Sequence, residues 1–222
     1  MTGEVNRSAC LAIQTAADAQ SLRALHGLPA DLPDVEVAEY ALQRQRAMGQ
    51  NGALPPYLLR VERAALVRCE GASLRLDLLS AAAAGGEGAL LTRLASLVPP
   101  VAEVFVWGAE TPAVVRCRVL QHALAAPTLA GPAAQATWHD LQARVIGPET
   151  AVRLDEYAQT LGVMDSAWMR ALRAISPAPA ELACGQAAIA CLQVLLRYQL
   201  AAGLISQEIC ARMLAQEMQT AA

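Results

Sequence analysis

The chain has 222 residues, 55% of them hydrophobic and 17% charged, which excludes the polar, highly charged composition of disordered proteins and allows one domain with a sizeable core. Its net charge of −3 and pI of about 5.6 supply no overall basic field to neutralise phosphates, so a nucleic-acid binder would have to rely on a local patch. All 17 basic residues are arginine and much of the apolar content is alanine, a compositional bias that carries no function by itself.

Ala9 to Thr15 is a short apolar run of the kind that forms a buried central strand. Asp18 to Leu28 and Asp34 to Met48 are helix-compatible, separated by the Pro29 to Pro33 breaker, with Asp34 as an expected N-cap. After a loop at Gly49 to Pro56, the runs Tyr57 to Cys69 and Ser73 to Leu79 flank the short connection Glu70-Gly71-Ala72 and predict a hairpin. Gly85 to Gly88 opens a helix reaching about Leu97, Pro99-Pro100 stops it, and Val101 to Trp107 reads as another buried strand. Thr111-Pro112 predicts an N-cap and first turn for a helix to about Leu124, followed by an Ala-, Pro- and Gly-rich crossing to Thr137. The remainder is expected to be helical: Glu149 to Leu161, Asp165 to Ile175, Pro179 to Ala202 and Ser206 to Gln219. The order implies a mixed sheet covered on both faces, within one domain spanning residues 1–222.

The six cysteines, at 10, 69, 117, 184, 191 and 210, include no C-x-x-C pair and no nearby zinc-spaced histidine, so they read as buried thiols. The polar start Met1 to Ser8 leads into no signal-type run, which implies a cytoplasmic location. Leu182 to Leu200 is apolar but interrupted by Gln186, Gln193 and Arg197, which fits a core helix better than a membrane span, so no membrane partner is expected.

Four segments in order carry a resemblance. Ser21 to Leu28 with Glu39 to Arg46, Tyr57 to Ala65, Leu154 to Gly162, and Leu196 to Leu200 followed by Gly203 resemble the predicted 3′-5′ exonucleases related to the proofreading domain of family B DNA polymerases. The resemblance runs from about residue 9 to 215, with an apparent deletion near 163 to 180. It implies an α/β, ribonuclease H-like fold: a mixed five-stranded sheet with helices on both faces, a helical insertion at about 18–48 and a helical C-terminal part at about 149–219.

It also implies a site of four acids and a tyrosine, because two divalent cations that stabilise the attacking and leaving oxygens of a phosphodiester require anionic oxygen ligands. The matching positions here are Ala12 and Gln14 on the first strand, where a period of two would aim both carboxylates at one face, then Thr111, and Ala183 and Ala187 one turn apart on the last core helix. All five are replaced. The reading that follows is a catalytically inactive exonuclease-like protein serving as a protein-interaction or regulatory subunit, pairing with a protein partner or with itself. A second reading keeps weak, non-cleaving binding of single-stranded nucleic acid, with Arg60, Arg63, Arg68 and Arg75 as a phosphate-contacting row; a charge-protected sheet edge explains the same arginines. A third is an active exonuclease whose site is rebuilt from Asp18, Glu110 and Asp140, the only case in which Mg²⁺ or Mn²⁺ is expected; Asp140 reads equally as an acid near a helix start. His26, His122 and His139 read as ordinary half-exposed histidines and Gln14 as a satisfied polar group, while Trp107, Trp138 and Trp168 are expected in core or interface packing, with base stacking as the alternative.

Overall fold

The apolar run near the start of the chain becomes β1 (Ser8–Ala17), the strand on which the fold is built. A computed structural model describes residues 8–49, 53–70, 73–98, 103–131, 137–175 and 177–221. Cys10 and Ala12 face one side of the sheet, and Ala9, Leu11 and Ile13 face the other, as a period of two requires. Both sides meet apolar layers, which is why the run shows no polar alternation.

β1 pairs antiparallel with β2 (Leu59–Glu70), and β2 pairs antiparallel with β3 (Ser73–Ser80). On its other edge β1 runs parallel to β4 (Glu103–Val106), which is followed by the parallel β5 (Thr137–Asp140). A last strand, β6 (Met218–Ala221), lies parallel to β3 and completes the order β5-β4-β1-β2-β3-β6. Among the described residues the sheet therefore has six strands where five were expected. Between Gln14 and Thr15 the register shifts so that Thr15 faces Val61 and Glu62 is passed over, a bulge with its extra residue on β2.

Behind one face lies α10 (Pro179–Ala201), flanked by α7 (Leu141–Val145), α8 (Leu154–Thr160), α9 (Ala167–Ala174) and α11 (Gln207–Leu214). The long helix starts with proline in its first turn, where the missing N–H costs nothing, and Ser166 and Ser206 cap α9 and α11 by accepting from the N–H groups of Met169 and Ile209. α10 is long and apolar enough to cross a membrane by composition, yet most of it is buried inside the fold. Gly185 lets it approach closely: a Cβ there would sit 3.0 Å from a Leu172 methyl and 3.1 Å from a Leu78 methyl.

The opposite face is covered by α4 (Glu87–Leu97), α5 (Glu110–Gln121) and the short α6 (Pro127–Ala130). Leu90, Leu91 and Leu94 are fully buried there, each contributing about 1.5–3 kcal/mol of burial. After β1 come α1 (Ala19–His26) and α2 (Asp34–Ala47), which share a small core of Leu22, Val37 and Ala41 with Leu54 and Leu58. A single turn, α3 (Ala81–Ala84), joins β3 to α4.

Several boundaries differ from the sequence reading. Asp34 is the first residue of α2 and not its N-cap, and its carboxylate instead pairs with Arg23 at 2.7 Å. α5 begins at Glu110, so Thr111 lies inside the first turn and caps nothing. β5, which starts at Thr137 where the crossing was expected to end, and β6, whose first two residues Met218 and Gln219 were expected to close the last helix, are strands because a parallel neighbour supplies the pairing that their own composition does not advertise. The hairpin connection Gly71-Ala72, the Pro99-Pro100 stop and Val101 lie outside the described residues.

Candidate functional site

The five positions that the resemblance singles out fall into two groups. Ala12 packs against the α10 layer, and its carbonyl accepts the Cys184 thiol at 3.5 Å, so the middle of β1 sits directly against the first half of α10. Gln14, two residues on and still in register, belongs to the same face and is half-buried. Ala183 is exposed and Ala187 half-buried on α10, flanking Cys184 on either side along the helix. Thr111 is half-buried in the first turn of α5, past the carboxyl end of β4, which runs beside β1. The structure thus brings Ala12 to the helix that bears Ala183 and Ala187, and none of the three carries a ligand atom for a cation.

Ala183 and Ala187 also line a groove of about 370 Å³ between α10 and the start of α8. Leu154 and Met164 complete its apolar wall, Ala190 forms a buried part of its floor, and Gln186 adds a carboxamide. At the mouth, Arg153 donates to Asp155 through Nε (3.1 Å) and Nη2 (2.8 Å). Those hydrogen bonds hold the Asp155 carboxyl below the usual carboxylate range, although both side chains are largely in water, 72% and 56% exposed. The segment is fixed from behind: the Trp107 indole N–H donates to the Val152 carbonyl at 2.7 Å, and the ring stacks on Tyr157 with centroids 5.5 Å apart.

The three acids of the rebuilt-site reading do not converge. Asp18 is buried and caps α1, accepting the Ser21 amide (3.2 Å) and hydroxyl (2.7 Å) and pairing with Arg118 Nη1 at 2.6 Å. Asp140 caps α7 by accepting the Ala143 N–H, and the same oxygen accepts Gly108 N–H at 3.0 Å across the ends of β4 and β5. Glu110 is exposed on the first turn of α5. Among the described residues no group of three or more His, Cys, Asp or Glu side chains is placed to hold a metal ion.

Nor do the four arginines form one row. Arg68 donates to the Leu97 carbonyl on the α4 side of the sheet and pairs with buried Asp77 at 3.2 Å, an acid that also meets Arg75 at 3.4 Å. Arg63 lies on the α10 side, close enough to Cys184 to act on its thiol. Arg60 and Arg63 share Glu62, at 3.1 and 3.5 Å. Their charge is answered within the protein, as a protected sheet requires.

Sequence reasoning missed the main polar centre, which is built around Arg118, only 4% exposed on the inner face of α5. Besides Asp18, its guanidinium binds Glu87 through Nε (2.9 Å) and Nη2 (2.5 Å), while Glu87 also accepts Val61 N–H (2.6 Å) and meets His122 Nε2 (2.9 Å). Burial alone would raise the pKa of both carboxyls. The hydrogen bonds from Ser21 and Arg118 at Asp18, and from Arg118 and His122 at Glu87, outweigh burial and hold both below the ordinary range. The cluster ties the end of β1, β2, α1, α4 and α5 together, so its role is architectural. The signal was an arginine on the stripe Val114, Val115, Arg118, Val119, since a charge on an apolar stripe needs buried partners.

The remaining candidates have structural duties. Trp168, 3% exposed, donates to the Gln216 carbonyl at 2.9 Å and braces the turn before β6. Trp138 packs against the α4 layer, and His139 lies between Phe105, Arg144 and Glu103. All six cysteines are free, five of them buried, and burial pushes the thiols of Cys69 and Cys184 up to about 11 and about 12, which leaves them unreactive. No family model, curated protein or solved structure matches the chain.

Proposed function

We propose that the protein is a catalytically inactive exonuclease-like scaffold that acts through protein partners. The observation carrying this reading is the meeting of β1 and α10: Ala12 and the Ala183–Ala187 turn are joined by the Cys184–Ala12 contact, at the place where the resemblance puts paired carboxylates. The strand order supports a ribonuclease H-like arrangement, with β1, β2 and β3 antiparallel and β4 and β5 parallel to β1. β6 is an addition at the far edge. Ala12, Ala183 and Ala187 offer methyl groups and no anionic oxygen, and an uncompensated divalent charge is not held by apolar surface.

The test has two arms. The wild-type chain, incubated with labelled single-stranded DNA and Mn²⁺, is expected to release no more product than a buffer control. Restoring anionic ligands with Ala12→Asp, Gln14→Glu and Ala187→Asp is expected to create measurable Mn²⁺ binding by calorimetry. Digestion by the wild-type protein that disappears in a Glu110→Ala variant would overturn the inactive reading.

Non-cleaving nucleic-acid binding is the second reading, and the pairing of the four arginines with Glu62 and Asp77 weighs against it. Fluorescence anisotropy with single-stranded DNA and RNA at two salt concentrations separates the two readings, because phosphate binding weakens steeply as salt rises.

A further inference from the structure

The groove between α8 and α10 combines an apolar interior with a charged mouth. Its interior is apolar, made by Leu154, Met164 and the alanines of α10, with a volume of about 370 Å³, within the range of small-molecule sites. Its mouth holds Arg153 and Asp155 side by side, Arg153 also lying 3.8 Å from the exposed Glu156 carboxylate, with Gln186 inside as a neutral donor and acceptor. Because Arg153 and Asp155 are exposed and only two residues apart, their mutual contact contributes little and is readily exchanged for other partners.

An Arg–Asp pair beside an apolar hollow is complementary to one compact ligand pattern: a carboxylate and an ammonium on a single carbon, carrying an apolar side chain. We infer that the α8–α10 groove binds a free α-amino acid with an aliphatic or thioether side chain, its carboxylate on Arg153, its ammonium on Asp155 and its side chain against Leu154, Met164 and Ala187. The guanidinium offers two parallel N–H groups, which suits a carboxylate better than an ammonium does. The requirement for both head-group charges selects the free amino acid over a peptide, whose end residue presents only one of them. The inference stands on the groove and not on the exonuclease resemblance.

Calorimetric titration of the full chain with L-leucine and L-methionine tests it, alongside leucinamide, which lacks the carboxylate, and N-acetyl-leucine, which lacks the ammonium. Saturable binding is expected for the two amino acids, roughly tenfold weaker for each blocked analogue, since each loses one charge-assisted contact. Arg153→Gln, at an exposed position that leaves the core intact, is expected to weaken L-leucine to the level of leucinamide, and Ala187→Phe to abolish binding by filling the groove. Circular dichroism establishes that both variants are folded. Absence of binding up to ~10 mM, well above a millimolar dissociation constant, overturns the inference. So does equal affinity for L-leucine and its blocked analogues, or undiminished binding by folded Arg153→Gln; each such result leaves the Mn²⁺ and nuclease tests unaffected.

Discussion

Arg118 is the residue whose removal the fold should tolerate least. The residue is 4% exposed and its single positive charge pairs with two carboxylates, Asp18 at 2.6 Å and Glu87 at 2.5 Å, whose side chains are each 9% exposed. Arg118→Met keeps the length and apolar stem but strands both acids. Breaking a buried pair by removing one partner costs about 3–5 kcal/mol, and here the remaining anions also repel one another. Against a total stability of about 5–15 kcal/mol this is a large fraction, so the urea midpoint at neutral pH should fall sharply with an unchanged m-value. Asp18→Asn and Glu87→Gln, added to Arg118→Met, remove the stranded charge while the carboxamide introduced by Asp18→Asn can still cap α1, and should recover most of the loss. If Arg118→Met costs less than about 1 kcal/mol, the value of an exposed pair, the cluster is not buried in the way described.

Acid should act through the same cluster. Asp18 and Glu87 have folded pKa values below their unfolded ones, so their contribution is fully present above the ordinary carboxylate range and is lost as pH falls through the depressed values. Urea midpoints measured from neutral pH downward should therefore decline below about pH 4, and more shallowly in Arg118→Met. At Gly185 a valine would press on Leu172 and Leu78, and thermal unfolding should show a loss of about 1–3 kcal/mol. Trp168→Phe removes the hydrogen bond to Gln216 and should cost about 0.5–1.5 kcal/mol, with faster amide exchange localised to Met218–Ala221.

Elements with local signals were legible without any tertiary information. β1, the β2–β3 hairpin, α4 and α10 fall close to their expected limits because apolar runs, glycine and proline mark them without help from distant residues. That Ala12, Thr111, Ala183 and Ala187 carry no anionic oxygen was equally legible, since folding cannot supply a side chain with one. Tertiary structure decided what depends on pairing across the chain. β5 and β6 are four-residue strands that exist because β4 and β3 offer them edges, and nothing within Thr137–Asp140 or Met218–Ala221 specifies this. Arg118 meets Asp18 across 100 positions and Glu87 across 31, so its partners could be anticipated in kind but not in identity. The same holds for the α8–α10 groove: Arg153 and Asp155 acquire an apolar neighbour only when α10 is laid beside them, because concavity belongs to packed helices and not to any one segment.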